Sequence, residues 1–186
     1  MNLRNYKLRY ARSTMFGMLS RSLRVLAILA LATHCSSQTY AGWVLHEDGI
    51  GPVKIAMTKP QLNAALREKL SEEGESGSES CYYLASHKHP HIGFMMIDER
   101  LVRIDVNGAN VPTPAGIRVG DSEAHVKKIY GPAVKIDAHQ YIDDGHYLTV
   151  RSKNGKNGIR FETDKGRVTT FYAGTFDAIQ YVEGCL

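Results

Sequence analysis

Gly116-Ile-Arg-Val-Gly-Asp-Ser-Glu-Ala-His-Val-Lys-Lys-Ile-Tyr-Gly131 is the stretch on which the fold turns. It reads as a strand end, a glycine turn, a capped amphipathic helix and a glycine stop. Ser122 or Asp121 can accept a hydrogen bond from an orphan N–H of the first turn, and Glu123 sits at the positive end of the helix dipole. Val126, Ile129 and Tyr130 fall at i, i+3 and i+4, which predicts one apolar stripe with Val126 and Ile129 buried. Lys127 and Lys128 suit the C-terminal end, and Gly131-Pro132 stops the helix.

A weaker copy runs upstream, Ile55-Ala-Met-Thr-Lys-Pro-Gln-Leu-Asn-Ala-Ala-Leu66. Thr58 with Gln61 makes a capping box, and Pro60 is tolerated because first-turn N–H groups are unpaired anyway. At one constant offset Thr58 matches Ser122, Leu62 matches Val126 and Ala65 matches Ile129, the pattern of an internal repeat. Strand-like segments follow each copy. After the first come Cys81–Ala85, Ile92–Ile97 and Leu101–Val106, the last with Val102, Ile104 and Val106 facing one way and Arg103 and Asp105 the other. After the second come Val134 to Ala138, His146–Arg151, Ile159–Thr163 and Arg167–Tyr172, separated by Asp-Gly, Asn-Gly and Lys-Gly turns. Glu72 to Ser80, acidic and glycine-rich, reads as a mobile loop, and Phe176 to Glu183 as a last short helix. The expected fold is α+β: two tandem repeats, each a helix packed on an antiparallel β-sheet, over residues 42–110 and 111–186. Units this small bury little by themselves, so sharing one sheet is the economical solution.

The start of the chain reads differently. Val25-Leu-Ala-Ile-Leu-Ala-Leu-Ala32 is an apolar run too short for a stable membrane anchor. Arg21 and Arg24 precede it, and Thr39-Tyr-Ala41 offers a small-x-small cleavage site, so residues 1–41 are expected to be a secretory signal peptide. Translation could start at Met1, Met15 or Met18. Cys35 raises the alternative of lipidation, against which His34 stands where such signals have a small residue. Six of the 23 Lys and Arg lie before Gly42 and all 19 Asp and Glu lie after it, so the formal charge falls from +4 to −2 on cleavage. The basicity belongs to the leader, and no nucleic-acid partner is expected. Cys81 and Cys185 are then an even pair in an oxidising compartment, the periplasm or the outside of the cell, and are expected to form a disulfide.

Val119-Gly-Asp-Ser-Glu-Ala-His-Val-Lys-Lys-Ile-Tyr-Gly-Pro132, followed by Ile159-Arg-Phe-Glu-Thr-Asp-Lys-Gly-Arg-Val168, resembles the repeat of the small SmpA/OmlA outer-membrane-assembly lipoproteins. It is also similar to the tandem-repeat β-lactamase inhibitor proteins. In both groups a Gly-x-[Ser/Thr] helix start is followed by antiparallel strands. The resemblance covers most of Ile55 to Gly174, and the first unit departs from the pattern with Ala56 in place of glycine. It implies export and a non-catalytic, protein-binding role, and it carries no catalytic residue over.

The residues bear on three kinds of chemistry. His87-Lys-His-Pro-His91 places His87, His89 and His91 at alternate positions, which in an extended segment suits ligation of zinc or copper, although Pro90 opposes a regular strand. His139 and His146 could face each other across a hairpin, with Asp143 or Asp144 as an oxygen ligand. No nucleophile–base spacing and no phosphate-cradling glycine loop stands out, so no enzyme activity and no cofactor are expected. The third reading is binding. With Val134, Ile136 and Val168 turned to the helices, the other sheet face would carry Arg103, Asp105, His139, Tyr147, Arg151, Arg160 and Phe171. Arg103, His139, Tyr147, Arg151 and Phe171 are the candidate partner-binding residues, with Tyr147 and Arg151 expected to be exposed, because Tyr and Arg anchor protein interfaces. The expected function is a periplasmic or secreted protein-binding module, an inhibitor or immunity-type protein of another exported enzyme. The alternatives are an accessory factor in envelope assembly and a metal-binding protein.

Overall fold

Apolar and alternating segments commit seven stretches of the chain from Cys81 onward to strands, and every ladder they form is antiparallel. The computed structural model describes residues 42–78 and 80–185, side chains at 74–78 excepted. The expected signal peptide and Cys35 lie outside the described residues. Strands β1 (Leu45–His46), β2 (Gly49–Ile50) and β3 (Val53–Lys54) form a small three-stranded sheet. Helix α1 (Lys59–Leu66) leads into β4 (Ser71–Ser78), β5 (Cys81–Ala85), β6 (Ile92–Ile97) and β7 (Arg100–Val106). Helix α2 (Glu123–Tyr130) leads into β8 (Val134–Ala138), β9 (His146–Arg151), β10 (Asn157–Asp164) and β11 (Arg167–Thr175). The large sheet has eight strands in the order β4-β5-β6-β7-β11-β10-β9-β8, so two four-stranded meanders meet where β7 pairs β11. The α+β class expected from the sequence is borne out. Among the described residues no helix is long and apolar enough to cross a membrane.

The Glu72–Ser80 segment is not a loop over most of its length. Its backbone pairs with β5 from Ser71↔Ala85 to Glu73↔Tyr83, because an edge strand needs a partner on one side and no apolar face. The expected last helix is a single 3-10 turn, Ala178–Gln180.

Both helices begin in the same way. Ala56 donates its N–H to Leu101 O at 2.8 Å and Met57 O accepts from Leu101 N at 2.9 Å; Gly120 donates to Val168 O at 2.8 Å and Asp121 O accepts from Val168 N at 2.9 Å. Arg100 Nη1 donates to Ala56 O at 3.2 Å, and Arg167 Nη1 to Gly120 O at 3.0 Å. The backbone turns through positive φ at both places, 72° at Ala56 and 94° at Gly120. Gln61 Oε1 accepts from Thr58 N at 2.8 Å at the first helix start, and Ser122 Oγ accepts from His125 N at 3.1 Å at the second.

Each meander also closes with a bulge. Met95 pairs Arg103 while Met96 pairs Leu101, leaving Val102 as an extra residue; Glu162 pairs Thr170 while Thr163 pairs Val168, leaving Thr169 extra. A bulge inverts the side-chain phase on one side of it. Leu101 therefore joins Ile104 and Val106 in the core in place of the expected Val102, and Val168 shares a face with Phe171. That corrects the placement of Phe171: it is fully buried on the helix side against Phe161, ring centroids 5.5 Å apart, and is no part of the other face.

The core lies between this side of the sheet and the helices, with Leu62 of α1, Val126 of α2, Leu84, Phe94, Ile104 and Phe161 among its members. Each such side chain contributes about 1.5–3 kcal/mol by leaving water. Ile129, expected in the stripe, is 45% exposed. The buried face of α2 runs instead through Glu123, Val126 and Tyr130, because Glu123 Oε2 accepts from the buried Thr163 hydroxyl at 3.0 Å and Tyr130 packs on Phe161. This rotates Ile129 to the flank.

Candidate functional site

Period-two alternation puts Cys81, Tyr83, Arg103, Asp105, Tyr172, Arg160, Tyr147 and Thr149 on the face away from the helices. Cys81 is bonded to Cys185 as expected, Cα atoms 5.3 Å apart, and this draws the end of the chain across that face. The arginines hold it there. Arg103 Nη1 donates to Tyr181 O at 2.7 Å and Ala178 O at 3.3 Å, and Arg160 Nη2 donates to Gln180 Oε1 at 2.7 Å. The Arg151 guanidinium stacks over Phe176, 4.0 Å from the ring centroid. Tyr141, at the β8–β9 turn, donates its hydroxyl to Glu183.

The candidate binding residues thus separate. Arg103 and Tyr147 lie on the expected face but are buried, Arg103 beneath the tail and Tyr147 between the His139 ring (4.4 Å) and the Arg160 guanidinium (4.9 Å). The expectation that Tyr147 is exposed is corrected: neighbouring residues of its own sheet face cover it. Arg151 is exposed and His139 partly so. Sequence reasoning missed Tyr141 and Tyr181, which are 59% and 47% exposed beside this tail. The Cys81–Cys185 pair was the signal that could have found Tyr181, since it forces residues 176–185 over the sheet.

The electrostatics are those of a held structure. Arg103 Nη2 donates to the Tyr83 hydroxyl at 2.6 Å, and Arg103 Nε lies 2.9 Å from Asp105 Oδ1. Burial pushes the Asp105 carboxyl up, with Arg103 opposing; burial likewise pushes up the Tyr83 and Tyr172 hydroxyls. Tyr82, on the other face, is pushed up to about 12 by burial and by the hydrogen bond it donates to Glu99. Beside the Arg103 cluster opens a cavity of about 450 Å³, lined by Glu73, Tyr83, His87, Asp105 and Thr170 among others.

The histidines do not assemble as metal ligands. Glu68 organises their loop: its carboxylate accepts from Ser86 Oγ at 2.6 Å and from the N–H groups of His87 (2.8 Å) and Lys88 (3.2 Å). Burial works against that carboxylate, but these donors hold it below its ordinary range. His89 turns inward against Trp43, ring centroids 4.3 Å apart, and burial lowers its pKa, whereas His91 meets Asn107 Oδ1. Among the described residues no group of three or more His, Cys, Asp or Glu could hold a metal ion, so His87, His89 and His91 do not converge. His139 and His146 do not face each other either. His139 N–H bonds Gly145 O, so His146 is the next residue and points to the opposite face, where its Nδ1 lies 3.0 Å from Glu123 Oε2.

No protein-family model matches the chain, and no curated protein matches it. Among solved structures it is similar to the uncharacterized protein yfeY from Escherichia coli, with TM-score 0.47 and 12% identity over 70% of this chain and 99% of that one. It is also similar to an extracellular protein containing a SCP domain from Bacillus anthracis str. Ames, with TM-score 0.45 and 12% identity over 68% of this chain and 45% of that one. Likenesses this distant carry no argument about activity.

Proposed function

We propose that this chain is an exported, non-enzymatic protein-binding module of two tandem helix-plus-meander repeats, acting as an inhibitor or immunity-type partner of another exported enzyme. The repeat reading is supported by the paired helix starts, in which Ala56 and Gly120, Leu101 and Val168, and Arg100 and Arg167 make corresponding bonds. Export is supported by the leader-like start and by the Cys81–Cys185 bond. The observation that carries binding is the exposed pair Tyr141 and Tyr181 on the tail-covered face, Tyr141 bonded to the tail through Glu183 and Tyr181 held through its carbonyl by Arg103. Tyrosine and arginine offer large contact area with hydrogen-bonding tips, and the bonds beneath them reduce the ordering cost on association. Arg103, Arg160 and Tyr147 then act as positioning residues under this rim. The second reading, an accessory factor in envelope assembly, is favoured by the resemblance of Gly120-Asp-Ser122 and its strands to the SmpA/OmlA repeat.

The test is capture from an envelope extract with the purified protein as bait, beside a Tyr141→Ala, Tyr181→Ala variant. Inhibition requires that the wild type retains a hydrolase and depresses its activity, and that the variant weakens this by about tenfold or more at an unchanged melting temperature. Capture of an assembly complex would select the second reading. A hydrolase held equally well by the variant would remove the tyrosine rim as the site.

A further inference from the structure

The two edges of the eight-stranded sheet are guarded unequally. At one edge β4 reads Ser-Glu-Glu-Gly-Glu-Ser-Gly-Ser, like charges and glycines that resist pairing with another chain. At the other edge β8 reads Val134-Lys-Ile-Asp-Ala138, with no proline and an unbroken register against β9, its sole neighbour among the described residues. His139 donates its N–H to Gly145 O at 2.9 Å, in register with that ladder. Hydrogen bonding alternates along an antiparallel pair, so Lys135 and Asp137 bond inward to β9 and Ile136 presents its N–H and C=O to the outside. The Ile136 side chain, on the helix side of the sheet, is 41% exposed. Ile129, on the helix that leads into β8, is exposed as well.

We propose that β8 pairs with β8 of a second copy of this chain, antiparallel about a two-fold axis at Ile136. In that register Ile136 meets its own counterpart as a hydrogen-bonded pair, Val134 faces Ala138, and Lys135 faces Asp137 of the other copy. Charge selects the register: centring on Lys135 or Asp137 would use the same outward N–H and C=O groups but would set like charges opposite each other across the axis. Within one chain Lys135 Nζ lies 3.0 Å from Asp137 Oδ1, with the lysine well exposed, so the two charges stand ready to exchange partners across the axis. The contact is isologous and closes at two copies. Five residues a side make a small interface, so association depends on concentration. This inference does not rest on the proposed inhibitor role.

Sedimentation equilibrium of the purified protein over a range of concentrations tests it. The weight-average mass is expected to climb from that of one chain towards twice that value. Asp137→Lys sets lysines against each other across the axis, and Lys135→Asp sets aspartates against each other. Each single variant is expected to keep the mass of one chain while melting as a folded protein. The double variant Lys135→Asp, Asp137→Lys restores opposite charges and is expected to restore the doubling. One-chain mass at every concentration for the wild type overturns the proposal, and so does a dimer that persists in either single variant.

Discussion

The half of the sheet that follows α1 and the half that follows α2 share a backbone plan and differ in what secures it. Both enter the helix through a positive-φ residue bonded to the closing strand, and both place a bulge one residue beyond that bond. In the second half the positive φ belongs to Gly120, the helix is capped by Ser122, and Glu123 ties α2 to Thr163 and His146. In the first half the same geometry is imposed on Ala56, and a disulfide anchors the tail to β5. The difference teaches that strand pairing dictates the backbone, while residue identity sets how much that geometry costs.

Cutting the disulfide is expected to have the largest effect. Cys81 and Cys185 are 104 residues apart, for which the chain-entropy model gives about 4–5 kcal/mol. Cys185→Ser should lower the melting temperature by on the order of ten degrees. Hydrogen exchange should rise around β5 and the tail while β9 and β10 keep their protection. An unchanged melting temperature, or two freely alkylated thiols in the native protein, would leave the first half secured in the same manner as the second.

A smaller effect separates the two helix starts. A Cβ added at Gly120 would meet open space, so Gly120→Ala should cost only the left-handed backbone penalty, about 1–2 kcal/mol. Ala56→Gly should stabilise by less than that, since relief of the same strain is offset by the greater freedom of glycine in the unfolded chain. Two shifts of the same sign in urea unfolding would mean that the two turns are not equivalent.

The smallest effect is electrostatic, and it has opposite signs in the two halves. Burial works against the Glu123 carboxylate, but Lys127, Thr163 and His146 together hold its pKa below the ordinary range. A depressed carboxyl pKa contributes stability that is present above the unfolded value and lost as pH falls through the folded one. Burial raises the Asp105 pKa, with Arg103 opposing, and a raised value contributes stability present at low pH and lost as pH rises through it. On acidification from neutral pH, the wild type should lose its advantage over Glu123→Gln and gain relative to Asp105→Asn. Parallel trends in the two melting-temperature differences would contradict this assignment.

Much of this plan was legible in the residues. Seven strands after Cys81, both helix starts and the disulfide follow from alternation, capping residues and the count of cysteines. The site was less legible. Alternation marks Arg103 and Arg151 as candidates for binding a partner, and what they hold, together with Arg160, is the chain's own tail. Strict alternation puts Phe171 on the wrong face because a period of two cannot register one inserted residue such as Thr169. The helical stripe places Ile129 in the core because it does not register the buried Glu123–Thr163 bond that rotates α2.

The sequence by itself determined the seven strands from Cys81 onward, where the helices begin and which cysteines join, because those depend on local periodicity, orphan N–H groups and simple pairing; the acidic, glycine-rich β4 carries no such period and was decided by its pairing with β5. The tertiary structure alone decided the phase beyond each bulge, the burial of Tyr147 and the exposure of Ile136. A side chain's surroundings there are set by residues distant in the chain, brought across the sheet by pairing registers and by one disulfide.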